Sequence, residues 1–526
     1  MHEHTFSTPI NKISKVVHQM KYLIGIDLGT SGTKTVLFSE DGIAICSATE
    51  EYPLYQPNNG WAEQDPADWW NACISTVKKV FSDSGVNPKD VAGIGFSGQM
   101  HGLVMLDEDG NVIRNSIIWC DGRTADECAE ITRRVGESHL VDITANQAVT
   151  SFTAGKILWV RNHEPENYKR CRHILLPKDY IRYKLTGKFG MEVSDASGMN
   201  MLDIHERIWS DEVLKALDID SELLPDVGES SDIAGAVTAE AAALTGLTEG
   251  TPVVYGGGDN AAAAVGTGVV EKGKAFITIG TSGVLYAHTD SVAIDADGRI
   301  NTFCTAVPDS WAVFGCTLAA GMSLQWLRNN FFQAEMDTAK GLGKDPYTIM
   351  TEQAERIPIG ANRLIFLPYL MGERSPILDP NARGVFFGLS AIHTKYDMLR
   401  SVMEGVIYAQ KQCLDFHRAM GIEFNEIYAT GGGGTSPLWR QMIADIFELP
   451  VVTIQNREGP ALGAAILAGV GAGLYPSIPE ACKRIIKVND PQLPIAKNTN
   501  EYAPYYKLFR DLYPSMKENF QTLAKL

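Results

Sequence analysis

The apolar residues of the chain fall into short strand-like runs, and four of these runs form two similar pairs. Residues 22–27 are followed by residues 33–38, and residues 275–279 are followed by residues 284–288. A short segment containing glycine, threonine and serine separates the runs of each pair, which is typical of the turn of a β-hairpin. The pattern therefore predicts two similar hairpins, one at the start of each half of the chain.

Three other strand-like runs end in glycine-rich or polar turns. Residues 94–96 lead into the turn Ser-Gly-Gln-Met-His-Gly, and residues 253–255 lead into three glycines followed by a run of small residues. Residues 427–430 lead into four glycines and a helical pattern over 437–447. Near the C-terminus, over residues 505–526, apolar residues again recur at the spacing of a helix. Strands that end in such turns are typical of open α/β sheets, which bind ligands at the carboxyl ends of their strands.

The composition is that of an ordinary soluble globular protein. A length of 526 residues is too great for one hydrophobic core and predicts two or more large domains. The net charge of -17 repels a phosphate backbone, so nucleic acid is not expected as a general partner. No run of about 20 uncharged apolar residues is present, so no membrane span is predicted. The nine scattered cysteines include no Cys-x-x-Cys pair, which argues against zinc and disulfides and fits a reducing cytosol.

The two hairpin turns have the chemistry of a phosphate site. Their amides and hydroxyl groups can bind phosphate oxygens, and their glycines allow a ligand to approach the backbone closely. The copies differ at Asp27, whose place in the second copy is taken by Thr278. A carboxylate beside a phosphate needs a cation between them, and Mg²⁺ favours such ligands. We therefore expect a nucleotide between two similar domains, with Mg²⁺ on the side of Asp27. Two ordinary glycine hairpins are the alternative.

Two longer stretches make the chain resemble the FGGY carbohydrate kinases. Residues 151–163, SFTAGKILWVRNH, are similar to the first signature of that family. Residues 384–389, GVFFGL, together with 397–398 and 401–404, are similar to the second. The duplicated hairpin resembles the wider superfamily of sugar kinases, actin and heat-shock ATPases. The resemblance extends from Met20 to about Tyr475 and implies an α/β fold of two actin-like (ribonuclease H-like) domains with an ATP cleft between them.

The resemblance also implies a division of the chain. We expect residues 20–266 to form an N-terminal domain with the sugar site and the first phosphate hairpin. Residues 267–490 are expected to form a C-terminal domain with the second hairpin and the adenosine pocket, and residues 491–526 a closing helix. Because a complete strand begins directly after Met20, residues 1–19 are expected to be a flexible extension that activity does not require. A short packing or regulatory helix is the alternative for that segment.

The four glycines after residues 427–430 stand where a strand, a turn and a helix start meet. Free amides and the positive end of a helix dipole favour a nucleotide there, although a glycine run is also common in tight turns. In the FGGY family this segment and a second helix line the adenosine pocket. The resemblance assigns ATP and its Mg²⁺ to four segments: Asp27 for the metal, and Gly29, Thr30, Ser31, Thr33, Lys34, Thr281, Ser282, Gly321, Gln325, Gly432, Gly433 and Ser436 for the nucleotide.

Asp259 stands just after the strand-like run 253–255 and its three glycines. A kinase acting on an alcohol needs a base that accepts the hydroxyl proton, and the FGGY resemblance implies this role for Asp259. A helix N-cap is the alternative for an aspartate at this place. Asn260 is expected to orient either the sugar or the carboxylate.

The Gln-Met-His-Gly turn resembles that of the FGGY members that phosphorylate xylulose. In those members the Met-His pair contacts the ketose, which implies an acceptor site at Gln99, Met100 and His101. A satisfied core histidine is the alternative. Asp121 and Arg123 lie in a segment similar to the family's Trp-x-Asp-x-Arg and are expected to frame the sugar site.

Residues and resemblance together predict a kinase that transfers the γ-phosphate of ATP to the terminal hydroxyl of D-xylulose, as in pentose catabolism. A kinase for another ketose or polyol, such as ribulose, fuculose or rhamnulose, is the near alternative. An actin-like nucleotide-gated binding protein is the distant one. The expected partners are a small ketose and ATP. A cytoplasmic location is expected, and a homodimer is left open.

Overall fold

Two sheets of similar strand order, each covered by helices, form the framework of the protein. The computed structural model describes residues 20–456 and 458–526, so the predicted extension of residues 1–19 lies outside the described residues. The strands are β1 (Tyr22–Leu28), β2 (Gly32–Ser39), β3 (Ala44–Glu51), β4 (Glu63–Gln64), β5 (Val91–Gly98), β6 (Val104–Leu106), β7 (Ser116–Ile117), β8 (His173–Leu175), β9 (Met191–Glu192), β10 (Leu202–Asp203), β11 (Ile208–Trp209), β12 (Val227–Gly228), β13 (Ile233–Ala236), β14 (Pro252–Val254), β15 (Gly257–Gly258), β16 (Gly273–Ile279), β17 (Gly283–Thr289), β18 (Asn301–Cys304), β19 (Trp311–Thr317), β20 (Ile365–Leu367), β21 (Val385–Phe387), β22 (Phe424–Thr430) and β23 (Val451–Val452).

Helices connect these strands and cover both sheets. They are α1 (Pro66–Ser84), α2 (Ala125–Val135), α3 (Glu137–Thr144), α4 (Thr153–His163), α5 (Pro165–Arg170), α6 (Pro177–Thr186), α7 (Val193–Ala196), α8 (Asp211–Leu217), α9 (Ala239–Thr245), α10 (Asp259–Thr267), α11 (Gly321–Phe331), α12 (Gln333–Leu342), α13 (Pro346–Ala354), α14 (Lys395–Ala419), α15 (Gly431–Gly434), α16 (Pro437–Phe447), α17 (Gly459–Gly471), α18 (Ile478–Ile485) and α19 (Ala496–Leu523). Separate apolar cores lie around Ile24 and Trp69 in the first half and around Ile277 and Val406 in the second.

The two sheets repeat one topology. The first has the order β13-β14-β5-β1-β2-β3, and the second has the order β18-β19-β17-β16-β22-β23. In each sheet, three neighbouring strands pair antiparallel, β1-β2-β3 and β16-β17-β19. A later strand, β5 in the first sheet and β22 in the second, joins the first of these three in parallel. The predicted duplication and the predicted α/β class are confirmed.

The two predicted hairpins are present, and their register sets the positions of the polar groups. Leu28 pairs with Thr33 in the first hairpin, and Ile279 pairs with Gly283 in the second. Asp27 lies beside Ser97 on the parallel neighbour β5, and Thr278 lies beside Thr430 on β22. The Ser97 hydroxyl donates to Asp27 Oδ1 at 2.7 Å, and the hydroxyl oxygens of Thr278 and Thr430 lie 2.6 Å apart. Equivalent positions of the repeat therefore hold a carboxyl group and a hydroxyl group in one half and two hydroxyl groups in the other.

Helix α17 follows the second sheet in the chain but packs on the first. It lies against β1 and β5, where an added Cβ on Gly25 would overlap the carbonyl group of Ala461 and one on Gly95 would overlap that of Ala464. Only glycine leaves room for such direct contact between helix and sheet. Helix α17 also crosses α10, and together the two helices join the halves. The predicted domain limits at 266/267 and 490/491 stay predictions.

The C-terminal residues form a helix, as their apolar spacing predicts. α19 begins at Ala496 and ends at Leu523, and its buried face includes Tyr502 and Phe509 in the core of the second half. Among the residues that the structure describes, no helix is long and apolar enough to cross a membrane.

Candidate active site

Three strand ends of the first sheet bring Asp27, Ser97 and Asp259 together. β1 ends just after Asp27, β5 ends just after Ser97, and β15 pairs with the end of β5 immediately before Asp259. Burial raises the pKa of Asp27, while the hydrogen bond from Ser97 and the charge of Lys34 oppose this rise. Two carboxylates thus lie at the carboxyl edge of the sheet, where α/β folds bind ligands.

Asp259 is the first residue of α10, and its side chain faces the cleft between the halves. The main-chain N–H and the side-chain amide of Asn260 donate to Oδ1 at 2.7 and 2.9 Å. Oδ2 has no hydrogen-bond partner among the described residues. Burial, and next the charge of Asp27, raise the pKa of Asp259 to about 7. A carboxyl group that titrates near neutral pH has the basicity that general-base catalysis requires.

The capping alternative for Asp259 is wrong. The N-cap of α10 is Gly258, and no side chain caps this helix end. The Asp259 carboxylate is hydrogen-bonded to Asn260, the next residue in the chain, and to neither of the two amides that an N-cap side chain binds. Asn260 therefore orients the carboxylate, which is one of the two roles expected for it.

The first hairpin turn is held on both sides by side chains. The Gln64 amide donates to the carbonyl of Thr30 at 2.7 Å, and the Trp119 indole donates to the Thr30 hydroxyl at 2.9 Å. Lys34 forms an ion pair with Glu458, which precedes α17. Three more of the residues predicted to bind the phosphates lie in or beside this first turn. The Gly29 amide donates to the carbonyl of Gly32, the Ser31 carbonyl accepts from the Tyr52 amide, and Thr33 is buried on β2.

A cavity of about 650 Å³ lies beside the second hairpin and is lined by six of the twelve predicted nucleotide residues. Its walls include Thr281 from the hairpin turn, Gly321 and Gln325 from α11, Gly432 and Gly433 from α15, and Ser436 at the N-cap of α16. Ser282 lies in the same hairpin turn, where its carbonyl accepts from the Gly280 amide at 3.0 Å. Residues that are distant in sequence thus form one pocket.

The glycines of this cavity have different surroundings. The predicted glycine turn is a single helical turn, α15. An added Cβ on Gly433 would lie 2.6 Å from Ile279 Cβ and from the Trp439 ring, whereas one on Gly432 would meet nothing within 4 Å. On α11, an added Cβ on Gly321 would overlap the Gly280 carbonyl. Packing therefore requires glycine at 433 and 321, while Gly432 faces open space.

Helix α13 forms a wall of the cavity that sequence reasoning missed. Tyr347, Thr348 and Glu352 line the same cavity as the glycines. The Asp-Pro pair at 345–346 signals a helix start, and the Asp345 carboxylate does accept from the Tyr347 amide at 3.0 Å. That signal predicts the helix but not the cavity against which it packs.

A second cavity, of about 670 Å³, connects Asp259 with the turn of α15. It is lined by Asp259 and Asn260 on one side and by Thr278, Thr430 and Gly431 on the other. α15 therefore separates two cavities, one at its Gly432 and Gly433 side and one that reaches the carboxylate.

The predicted acceptor residues follow β5 directly. A Cβ added to Gly258 would lie 2.9 Å from Met100 Cγ, so Met100 packs immediately beside the backbone that precedes Asp259. The Gln99 side chain turns toward the first hairpin, where its amide donates to Gln64 Oε1 at 2.8 Å. His101 has a left-handed φ of 70°, which sharply redirects the chain after Met100.

Several neighbours fix the His101 ring and its main chain. Nδ1 lies 2.9 Å from the carbonyl oxygen of Gly198, and the ring packs on Phe152 at a centroid distance of 4.9 Å. The carbonyl of His101 accepts hydrogen bonds from Lys156 Nζ at 2.8 Å and from the Thr153 hydroxyl at 3.2 Å. Both donors belong to the segment similar to the first FGGY signature, which gives that segment a structural task.

The His101 ring is neutral. Burial, and then the charges of Lys156 and Arg374, hold the pKa of His101 well below its usual range. Since the Gly198 carbonyl can only accept, the proton of the neutral ring is on Nδ1, and Nε2 is an acceptor with no partner among the described residues. Such a nitrogen can accept a hydrogen bond from a sugar hydroxyl.

The side chains of Asp121 and Arg123 bind each other and neighbouring protein groups. The guanidinium donates to both Asp121 oxygens at 2.7 to 3.0 Å and lies 3.7 Å above the centroid of the Trp61 ring. Asp121 Oδ2 also accepts from the Ala62 amide at 2.5 Å. This buried pair braces the loop around Trp61, and its place in a sugar site stays a prediction.

Family profiles match both halves of the chain. The N-terminal domain of the FGGY family of carbohydrate kinases matches residues 22–266, and the C-terminal domain of that family matches residues 275–472. The chain belongs to the FGGY family of carbohydrate kinases. Membership makes this FGGY kinase a phosphotransferase with ATP as the phosphoryl donor, as predicted.

Known relatives match the FGGY kinase over nearly its whole length. It is 39% identical to the xylulose kinase of Bacillus subtilis strain 168 over 499 residues, which cover 95% of this chain and 98% of the relative. It is 39% identical to the xylulose kinase of Escherichia coli strain K12 over 494 residues, 94% of this chain and 99% of the relative. Among solved structures, the xylulose kinase of Rhodospirillum rubrum has 29% identity and a TM-score of 0.88, covering 95% of this chain and 100% of that one.

Proposed function

We propose that this kinase transfers the γ-phosphoryl group of ATP to the terminal hydroxyl of D-xylulose. The observation that supports this function most directly is the environment of the Asp259 carboxylate. One carboxylate oxygen accepts hydrogen bonds from Asn260, and the other has no partner among the described residues. The carboxylate lines a cavity that adjoins the proposed nucleotide cavity. Two lines of support favour xylulose as the acceptor: the Met100–His101 turn beside this carboxylate, and the full-length relatives named xylulose kinases.

In this proposal the adenosine moiety of ATP occupies the cavity of about 650 Å³, and the phosphates lie between the two hairpin turns. Asp259 accepts the proton of the attacking hydroxyl, and its pKa of about 7 keeps it largely ionised in slightly basic solution. His101 Nε2 accepts from a ketose hydroxyl, and Met100 supplies an apolar contact. Phosphoryl transfer requires little covalent chemistry from the protein, so positioning and charge stabilisation account for most of the catalysis.

The residues around Asp27 fit a bound Mg²⁺. Asp27 lies close enough to Asp259 for its charge to raise the pKa of Asp259. A divalent cation with one or two carboxylates, phosphate oxygens and water as ligands suits such a pair. Asp27 would hold the ion, which when bound neutralises charge on the phosphate oxygens.

Turnover of ATP with a panel of acceptors tests the proposal. Purified protein with Mg²⁺ and ATP is assayed with D-xylulose, D-ribulose, L-fuculose, L-rhamnulose, glycerol and no sugar. We expect the highest kcat/KM with D-xylulose and negligible turnover without an acceptor. A higher value with another ketose or polyol would assign that acceptor instead. The distant alternative, a nucleotide-gated binding protein, predicts ATP turnover that does not depend on any sugar.

A cytoplasmic location goes with this proposal, because ATP and a reducing environment for the nine free cysteines are found there. Cell fractionation tests the location. Size-exclusion chromatography with light scattering would give the oligomeric state, for which a homodimer stays a prediction.

A further inference from the structure

Arg374 lies beside the proposed acceptor site but comes from the second half of the chain. Its guanidinium carbon is 5.9 Å from the centroid of the Phe152 ring, and that ring packs on His101 at 4.9 Å. The charge of Arg374 also contributes to the lowered pKa of His101. Asp259, Met100 and His101 all belong to the first half, so Arg374 reaches their site from the opposite side of the cleft.

The guanidinium of Arg374 has no carboxylate partner among the described residues. The adjacent carboxyl group, Glu373, accepts instead from the main-chain amides of Leu318 and Arg374, at 2.7 and 2.9 Å. Nη2 of Arg374 donates to Asn301 Oδ1 at 3.0 Å. Nε and Nη1 have no hydrogen-bond partner in the described part of the chain. A partly buried cation with two unused donor groups suits a polar ligand that supplies oxygen acceptors.

Two buried asparagines fix the direction of this guanidinium. Asn301 donates through Nδ2 to Asn146 Oδ1 at 2.7 Å, which leaves Asn301 Oδ1 as the acceptor for Arg374. Asn146 is itself held by donation to the carbonyls of Thr144 and Thr302, both at 2.8 Å. Because each amide has a defined partner, the Arg374 side chain is oriented before a ligand binds, which lowers the entropic cost of binding.

We propose that Arg374 binds the acceptor at the end opposite the phosphorylated hydroxyl, through the carbonyl oxygen and the adjacent hydroxyl of an open-chain ketose. The inference rests on the proposed function, which places the reacting hydroxyl at Asp259. From there the contacts run through Met100 to His101 and Phe152, and Arg374 lies at the far end of this row. The planar donor fork of a guanidinium matches two neighbouring oxygens better than a lysine does. The acceptor is thus held by both halves of the protein.

The test combines changes in the protein with changes in the acceptor. Wild-type protein and the variants Arg374→Met and Arg374→Gln are assayed with D-xylulose, 1-deoxy-D-xylulose and xylitol at saturating ATP. The glutamine side chain can still donate a hydrogen bond to Asn301, so Arg374→Gln provides a second test if Arg374→Met does not fold. Arg383→Met is the matched control, because Arg383 is exposed in the same segment and, among the described residues, donates only to the carbonyls of Pro380 and Ala382. ATP affinity is measured by calorimetry and folding by the thermal midpoint.

We expect both Arg374 variants to raise KM for D-xylulose by about ten- to hundred-fold, the range for loss of a hydrogen bond to a charged group. The affinity for ATP should stay within about two-fold. Wild-type protein should discriminate against 1-deoxy-D-xylulose and xylitol, and the variants should lose most of that discrimination because the two changes remove the same contact. The control should match wild type throughout.

Other outcomes would overturn the inference. If the variants discriminate among the three acceptors as wild type does, Arg374 does not contact that end of the sugar. An equal loss of ATP affinity would make Arg374 a nucleotide or structural residue. A wild-type preference for sugar acids over ketoses would instead assign a carboxylate to the guanidinium. Failure of the proposed function is recognised separately, by absence of turnover of D-xylulose in wild type. If wild type then uses another ketose, that ketose and its alditol serve in the same comparison.

Discussion

The buried ammonium group of Lys156 donates a hydrogen bond of 2.8 Å to the main-chain carbonyl of His101 and a second, of 2.6 Å, to that of Ser151. No carboxylate lies within ion-pair distance of Lys156 in the described part of the chain. Burial lowers the pKa of Lys156 to about 7, and its amino group can donate both hydrogen bonds whether or not it is charged. These hydrogen bonds hold the left-handed backbone of His101 in place, so Lys156 is a positioning residue for the proposed acceptor site.

Replacing Lys156 should impair acceptor binding more than catalysis. Lys156→Met removes both hydrogen bonds but keeps the length of the side chain, so the His101 ring loses its fixed orientation. We expect KM for the ketose to rise about ten-fold, with a smaller change in kcat and unchanged ATP affinity by calorimetry. Lys169→Met, at an exposed lysine that pairs with Glu166, is the control. A variant that loses ATP affinity to the same extent would show a general structural defect instead.

Asp259→Asn should separate activity from stability. The amide keeps the shape of the side chain but cannot accept the proton, so phosphoryl transfer should fall by at least about 100-fold. ATP and ketose should still bind, as measured by calorimetry. Near-normal turnover in the folded variant would refute Asp259 as the base.

Asp259→Asn should also be more stable than wild type above neutral pH, although it is less active. The folded-state pKa of Asp259, about 7, is above its ordinary value of 3.8, so between these pH values the folded protein binds more protons than the unfolded chain. Wild-type stability therefore decreases as pH rises through this window, whereas the asparagine variant lacks that decrease. We expect the thermal midpoint of Asp259→Asn to exceed that of wild type at pH 8 and the difference to shrink toward pH 4. A lower midpoint at pH 8 would contradict the raised pKa.

Asp27→Asn should change both the metal requirement and the pH profile. We expect a higher Mg²⁺ concentration for half-maximal activity and weaker binding of Mg²⁺–ATP. Because the charge of Asp27 contributes to the raised pKa of Asp259, its removal should shift the rising limb of kcat/KM against pH toward lower pH. If the rising limb of the pH profile stays at the same pH while the Mg²⁺ dependence changes, the Asp27 and Asp259 carboxylates act independently.

Two neighbouring glycines of α15 should respond oppositely to substitution. Gly432→Leu places its side chain in open space, so the thermal midpoint should change little while ATP affinity falls at least about ten-fold because the side chain enters the cavity. Gly433→Ala forces Ile279 and the Trp439 ring to move, which should lower the thermal midpoint by several degrees. If Gly432→Leu binds ATP normally, the cavity of about 650 Å³ is not the adenosine site.

Local pattern was sufficient for the hairpins, the strand before Asp259 and the helix at the C-terminus, because each depends on neighbours in sequence. The role of Asp259 was less accessible, since a cap and a base are both expected after a strand and three glycines. The N-cap position of Gly258 and the hydrogen bond from Asn260 to the carboxylate decided against the cap. The contact row from His101 through Phe152 to Arg374 joins residues from both halves and has no local signal. The different freedom of Gly432 and Gly433 likewise depends on what packs against each of them.

The packing of α17 on the first sheet has a consequence for the order in which the protein can fold during synthesis. Gly25 and Gly95 lie directly under that helix, yet the ribosome makes it only after the whole second sheet. Until then the face formed by β1 and β5 has no cover, and apolar side chains that belong against α17, such as Leu23 and Val36, are open to water or to a chaperone. A nascent chain stalled before Gly459 would therefore hold an incomplete first half, and fragments cut between the two sheets would have to reassemble around α17 to recover a native core.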